Sequence, residues 1–154
     1  MKIGLNATCF NNHPSGAKQR FIGIYTELFK YMNNDEFIVY EPNDCQISLW
    51  FDKPENVVFK QTPLLSNSRL QKYFRGLLYW RHLKSERFDV FEGFHLPLIN
   101  VPTRRTILTI HDIRGIVLNG SWRERILYTA ALEKSLNIAD QVITVSDSVK
   151  NEIL

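Results

Sequence analysis

His111 and Asp112 follow directly on the β-rich run Thr106–Ile110. An imidazole titrates near neutral pH and can donate to or accept from a hydroxyl, and the adjoining carboxylate can orient it or cap the next turn. The plainer alternative is a strand-end histidine satisfied by the backbone. Glu92, Gly93 and His95 form a second group in the run Glu92-Gly93-Phe94-His95-Leu96-Pro97. Gly93 permits a sharp bend, and Glu92 and His95 can hydrogen-bond a polyol. Glu92 can equally pair with Arg104 or Arg105. A third group lies in Asn11–Arg20. There Gly16, at the start of a helix, lets a phosphate or a sugar approach backbone N–H groups, with Ser15 before it and Lys18 and Arg20 adding positive charge. The run is neither a GxGxxG nor a Walker A sequence, because Lys18 does not directly follow the required glycine. A helix-start glycine beside a solvated Lys18 and Arg20 is the alternative. Ser146, after the run Gln141–Val145, completes the set.

These residues can act together only if the chain brings their loops to one edge. Lys2–Asn6 reads as a first strand, and Ala17–Met32 as a helix with Phe21, Ile24, Leu28 and Met32 on one apolar stripe. Asn33-Asn34-Asp35 ends that helix. Phe37–Tyr40 is a second strand, and Gln46–Phe51 and Val57–Lys60 read as two more. Ser66–Arg87 reads as a long basic helix, Asp89–Glu92 and Thr106–Ile110 as strands, and Ser121–Ala139 as a helix opened by a Ser121/Glu124 capping box. Gln141–Val145 reads as a buried strand, with Ser146 or Asp147 capping the helix that follows. Strands alternating with helices imply an α/β sandwich of parallel strands joined by right-handed crossovers. In such sheets ligands bind beyond the carboxyl ends of the strands. That rule selects the loops after Asn6, Glu92, Ile110 and Val145, the same loops that carry the chemistry.

Composition narrows the class. A chain of 154 residues, 44% hydrophobic and 23% charged, suits one globular domain. A net charge of +3 is too weak to argue for nucleic acid, though it suits an anionic ligand or membrane surface. Cys9 and Cys45 stand alone, without metal-ligand spacing, and read as reduced thiols of a cytosolic protein. No run has the length and apolarity of a signal peptide or a membrane span. The helix around Arg69, Lys72, Arg75, Arg81, Lys84 and Arg87, interleaved with aromatic residues such as Tyr79 and Trp80, can face an anionic bilayer. A core-facing stripe with a solvated basic face is the commoner use of such a pattern.

Four segments together resemble the N-terminal half of the retaining GT-B glycosyltransferases of family 4. They are the opening strand with Ser15-Gly16, Asp89–Gly93 with Leu96-Pro97, Thr109–Ile113, and Ala139–Ser146. The last is the most specific: a small residue and Asp precede a strand that ends in a Val-Ser turn. The resemblance spans residues 1–154 and implies a Rossmann-like three-layer sandwich with a mostly parallel sheet. It implies transfer of a glycosyl group from a nucleotide-sugar to an acceptor hydroxyl, with retention and without a required metal or cofactor. Under it, Gly16 matches the loop glycine facing the donor phosphates, with Ser15 beside it. His111 matches the active-site histidine, and Asp112 its frequent partner. Lys18, Arg20, Glu92, His95 and Ser146 fall to the acceptor, a carbohydrate or a lipid-linked one. The chain departs from the family where Lys18 replaces a second glycine and Glu92 a histidine. The helix opened at Asp147 has little room to run. The expectation is therefore an acceptor-side domain without its donor-binding partner, inactive alone, cytoplasmic, with peripheral contact at the inner face of the membrane. A non-catalytic carbohydrate- or nucleotide-binding module and a membrane-docking domain are the rival expectations.

Overall fold

A computed structural model describes residues 1–66, 78–111 and 122–153. Its frame is one six-stranded sheet in the order β3-β2-β1-β4-β5-β6, with every neighbouring pair parallel. The strands are β1 (Lys2–Asn6), β2 (Glu36–Glu41), β3 (Val57–Gln61), β4 (Phe88–Gly93), β5 (Thr103–Ile110) and β6 (Gln141–Thr144). The helices are α1 (Gly16–Tyr31), α2 (Trp122–Ile138) and α3 (Asp147–Ile153). This is the doubly wound, Rossmann-like arrangement. The chain builds outward from β1 to β3, returns to the centre, and builds outward again from β4 to β6.

Helices cover both faces. On one, Phe21, Tyr25 and Phe29 of α1 pack onto Ile3 and Leu5 of β1 and Phe37 and Val39 of β2. On the other, Trp80 and Leu83 pack on Ile38, Tyr40 and Phe91, while Leu132 and Leu136 of α2 and Val149 of α3 pack around Leu108 and Ile110. The buried stripe of α1 is therefore Phe21-Tyr25-Phe29, not the stripe through Ile24. Ile24 is 39% exposed. Both stripes have helical spacing, and the one carrying three aromatic rings removes more apolar surface from water.

Several elements differ from the sequence reading. Gln46–Phe51 is not a strand: Ile47–Trp50 forms a 3-10 turn. The Ser48 N–H that a ladder would need donates instead to the buried Glu41 carboxylate, 3.0 Å away. At the start of the expected helix Ser66–Arg87, Ser66 lies in a turn, its N–H and hydroxyl both donating to Asp44 at 2.8 Å. Among the described residues the helical backbone there includes residues 78–82 and runs into a 3-10 turn, Leu83–Ser85, so Glu86 and Arg87 are outside it. Arg69, Lys72 and Arg75 lie outside the described residues, as does the Ser121 half of the capping box. Trp80 is 2% exposed against Tyr40 and Phe91, so it is core and not a membrane anchor. β6 is not buried as expected. Among the described residues it pairs only with β5, at the edge of the sheet, and Gln141 and Val142 are exposed.

Helix ends are satisfied locally. Ser15, in extended conformation, caps α1 by accepting from the Lys18 N–H at 3.2 Å. At the other end the Asn56 amide lies 3.0–3.2 Å from the carbonyls of Phe29, Met32 and Asp35. Ser146 caps α3, accepting from the Val149 N–H at 3.3 Å.

Candidate functional site

The strand order turns back between β1 and β4, and the crevice above their carboxyl ends is where this architecture places ligands. Asn6 and Gly93, the last residues of the two strands, are in register there. The loop after β1 is folded on itself: the Asn6 carboxamide accepts from the Thr8 hydroxyl at 2.8 Å. The Cys9 thiol reaches the Phe94 carbonyl at 3.7 Å and so ties this loop to the one after β4. Gly93 serves there by its small volume rather than by a bend. No glycine described has a positive φ, and a Cβ at Gly93 would lie 2.6 Å from Leu98 Cδ1. Leu98 is in turn fixed by its N–H, which donates to the buried Ser135 hydroxyl of α2 at 2.8 Å.

Beside this crevice a cavity of about 120 Å³ opens between α1 and the carboxyl halves of β4, β5 and β6. Its polar wall is Arg20, Glu92, Thr109 and His111, and its apolar wall includes Phe94, Leu28 and Ile143. The register explains the convergence. Glu92 lies opposite Ile107, so Glu92 and Thr109 point to the face that α1 covers, and His111 follows two residues on. A larger cavity of about 340 Å³ lies at the opposite end of α1, among Lys30, Asp52, Lys53 and Glu55. It is remote from the carboxyl ends, so volume alone does not pick the site.

Glu92 is the centre of the polar wall. It is buried, Thr109 Oγ1 donates to its Oε1 at 2.6 Å, and the Tyr25 hydroxyl donates to its Oε2. Burial pushes the Glu92 carboxyl above the ordinary range. The two hydroxyl donors and the nearby Arg20 charge oppose that shift without cancelling it. Burial, and then the Glu92 charge, push the Tyr25 phenol up. The alternative pairings of Glu92 with Arg104 or Arg105 do not occur: Arg104 pairs with Asp89 and Arg105 with Asp140. His111, half-buried, is flanked by two rings, Phe94 stacked at 6.5 Å and Phe10 edge-on at 6.1 Å.

The other sequence candidates distribute themselves around this centre. Asp112 lies outside the described residues. Ser15 and Gly16 sit at the start of α1, with open space where a Gly16 Cβ would stand. Lys18 does not line the cavity; its ammonium lies 4.1 Å over the Trp50 ring. His95 is half-buried in the loop after β4 and does not line the cavity either. Ser146 is exposed, with its hydroxyl engaged as a helix cap. Tyr25 and Thr109, which hold Glu92, are the residues the sequence reading missed. Their signal was the Phe21-Tyr25-Phe29 spacing and the two-residue step from Thr109 to His111. Among the described residues no group of three or more His, Cys, Asp or Glu is placed to hold a metal ion. Among them, too, no helix is long and apolar enough to cross a membrane.

A parallel, doubly wound sheet with polar side chains gathered at the carboxyl ends defines a Rossmann-like α/β domain. Residues 36–154 match the sequence profile of Glycosyltransferase Family 4, so the chain belongs to that family, and with it to the glycosyltransferases. No curated protein and no solved structure shows significant similarity to it.

Proposed function

We propose that this chain is the acceptor-side half of a retaining, GT-B-type glycosyltransferase. A nucleotide-sugar, held mainly by a second Rossmann-like domain, gives its glycosyl group to an acceptor hydroxyl presented by this one. The observation that carries the reading is the meeting of Arg20, Glu92, Thr109 and His111 at the carboxyl edge of a sheet whose sequence matches the family. His111, flanked by the Phe94 and Phe10 rings on the cavity wall, is the group assigned to act on the transferred sugar. The start of α1, with Ser15 and an unobstructed Gly16, leaves backbone room for the donor phosphates. No metal enters this scheme. In this scheme transfer needs the donor-binding domain as well as this one.

The test is a transfer assay with nucleoside-diphosphate sugars, run on the chain alone and on the chain joined to a donor-binding domain, with the anomer of the product read by proton NMR. The joined protein transfers with retention, and His111→Ala lowers its turnover about 10²-fold without lowering its melting temperature. Near-wild-type turnover in that variant removes His111 from the mechanism. Transfer by the chain alone, or inversion at the anomeric carbon, overturns the two-domain retaining reading.

A further inference from the structure

We propose that Trp50, at the end of the 3-10 turn Ile47–Trp50, is a positioning residue for the candidate site. Through Lys18 it holds the first turn of α1, and through Phe10 it holds the His111 side of the crevice. That these placements serve sugar transfer rests on the transferase reading; the contacts themselves do not.

Trp50 is half-buried against the core around Phe21 and Phe37. Two of its contacts lead out of that core toward the site. In the first, the Lys18 ammonium lies 4.1 Å from the ring centre. That is well inside the ~6 Å reach of a cation–π contact, for which indole is the best ring. Lys18 makes no ion pair among the described residues, so no carboxylate competes for the ammonium. The Lys18 N–H donates to the Ser15 hydroxyl at 3.2 Å. One residue thereby joins the indole to the Ser15-Gly16 end of α1. In the second contact, Phe10 meets Trp50 edge-on at 6.3 Å. Phe10 is buried, stands edge-on to His111 at 6.1 Å, and lies 5.5 Å from Phe94, the other ring flanking His111. A ring that served only as core filling would need the volume of Trp50 and neither of these contacts.

The turn that carries Trp50 is anchored from β2. Ile47 is fully buried, and the Ser48 N–H donates to the buried Glu41 carboxylate at 3.0 Å. Just before the turn, the Cys45 thiol donates to Asn12 Oδ1 at 3.3 Å, a separate tie to the loop after β1. Residues 12–16 of that loop are exposed, so no core burial of their own places them, and contacts of this kind decide where α1 starts. Placement matters because a shift of about 1 Å at a reacting group can cost about 10²-fold in turnover.

The first test is NMR of this chain, labelled with ¹³C and ¹⁵N. In wild type the Lys18 ε-methylene protons, over the indole face, resonate upfield of those of the exposed Lys53. Trp50→Leu abolishes that shift and moves the Gly16 amide and the His111 ring protons; Trp50→Phe keeps most of it. Lys18→Met, which leaves the turn and the core intact, moves the Trp50 indole N–H and the Gly16 amide. An ordinary Lys18 methylene position in wild type overturns the proposal. So do unmoved Gly16 and His111 resonances in Trp50→Leu, or unmoved Trp50 and Gly16 resonances in Lys18→Met. The second test uses the chain joined to a donor-binding domain, assayed below the melting temperature of each variant. Trp50→Leu lowers kcat about tenfold or more, and Trp50→Phe restores most of the loss. Unchanged kcat in Trp50→Leu, or equal losses in the two variants, overturns the positioning role. Failure of the transferase reading looks different: the NMR responses persist, while the two-domain protein with Trp50 in place transfers no sugar.

Discussion

Tyr25→Phe isolates one bond of the candidate site. The substitution keeps a ring packed 4.8 Å from Phe21, 5.7 Å from Phe29 and 5.8 Å from Phe94. It removes only the hydroxyl that donates to Glu92 Oε2. A buried hydrogen bond to a charged group is worth about 1.5–3 kcal/mol, so the variant should lose that much when Glu92 is ionised. For a chain of 154 residues this is a fall in melting temperature of roughly 3–12 °C. The loss also depends on pH, with a definite sign. The folded-state pKa of Glu92 is raised by burial, so its contribution to stability is fully present below the unfolded-state pKa and is lost as pH rises through the folded one. The Tyr25 hydroxyl works against that rise, so deleting it lifts the folded pKa further. The variant then loses stability with increasing pH more steeply than wild type. Urea unfolding of both proteins at pH 4 and pH 8, followed by tryptophan fluorescence, measures the two differences. The deficit of Tyr25→Phe is larger at pH 8. A deficit that is equal at the two pH values, or larger at pH 4, refutes the assignment of an ionised Glu92 as the acceptor.

Two further substitutions probe the frame that holds the site. A Cβ at Gly4 would lie 2.7 Å from Phe91 and 2.9 Å from Phe88, so Gly4→Ala costs about 1–3 kcal/mol in urea unfolding. Gly16→Ala, where nothing lies within 4 Å, leaves stability within about 0.5 kcal/mol of wild type; equal effects at the two positions contradict the packing described. Ser135→Ala strands the buried N–H of Leu98 and costs about 1–3 kcal/mol, with the NMR shifts of residues 94–98 changing most. A variant as stable as wild type shows that Ser135 does not fix that loop.

Much of the architecture is readable from sequence because short β-branched and aromatic runs such as Phe37–Tyr40 and Thr106–Ile110, apolar nearly throughout, suit strands of a parallel sheet covered on both faces. The run Gln46–Phe51 misleads for a reason outside itself: the Glu41 carboxylate, several residues earlier, takes the Ser48 N–H. Helix α1 misleads because two apolar stripes share one spacing, and only the depth of the core between β1 and β2 selects the aromatic one. In the site, Glu92 and His111 stand out by residue type at strand ends. Their link through Thr109 depends on the β4–β5 register, which places Glu92 against Ile107. Lys18 shows the converse. Its charge suggested a ligand contact, and in this structure its ammonium lies over the indole of Trp50. Composition could not foresee it, because Trp50 reaches that position only through the 3-10 turn.

Asp140, just before β6, has a structural part of its own. Its N–H donates to the Thr106 carbonyl at 2.9 Å, and its carboxylate accepts from the Thr106 N–H at 2.7 Å. One residue thereby grips both polar groups of another and sets where β6 begins against β5. It is a ruler for the outer edge of the sheet. What Asp140 does in this structure is fix an edge of the fold.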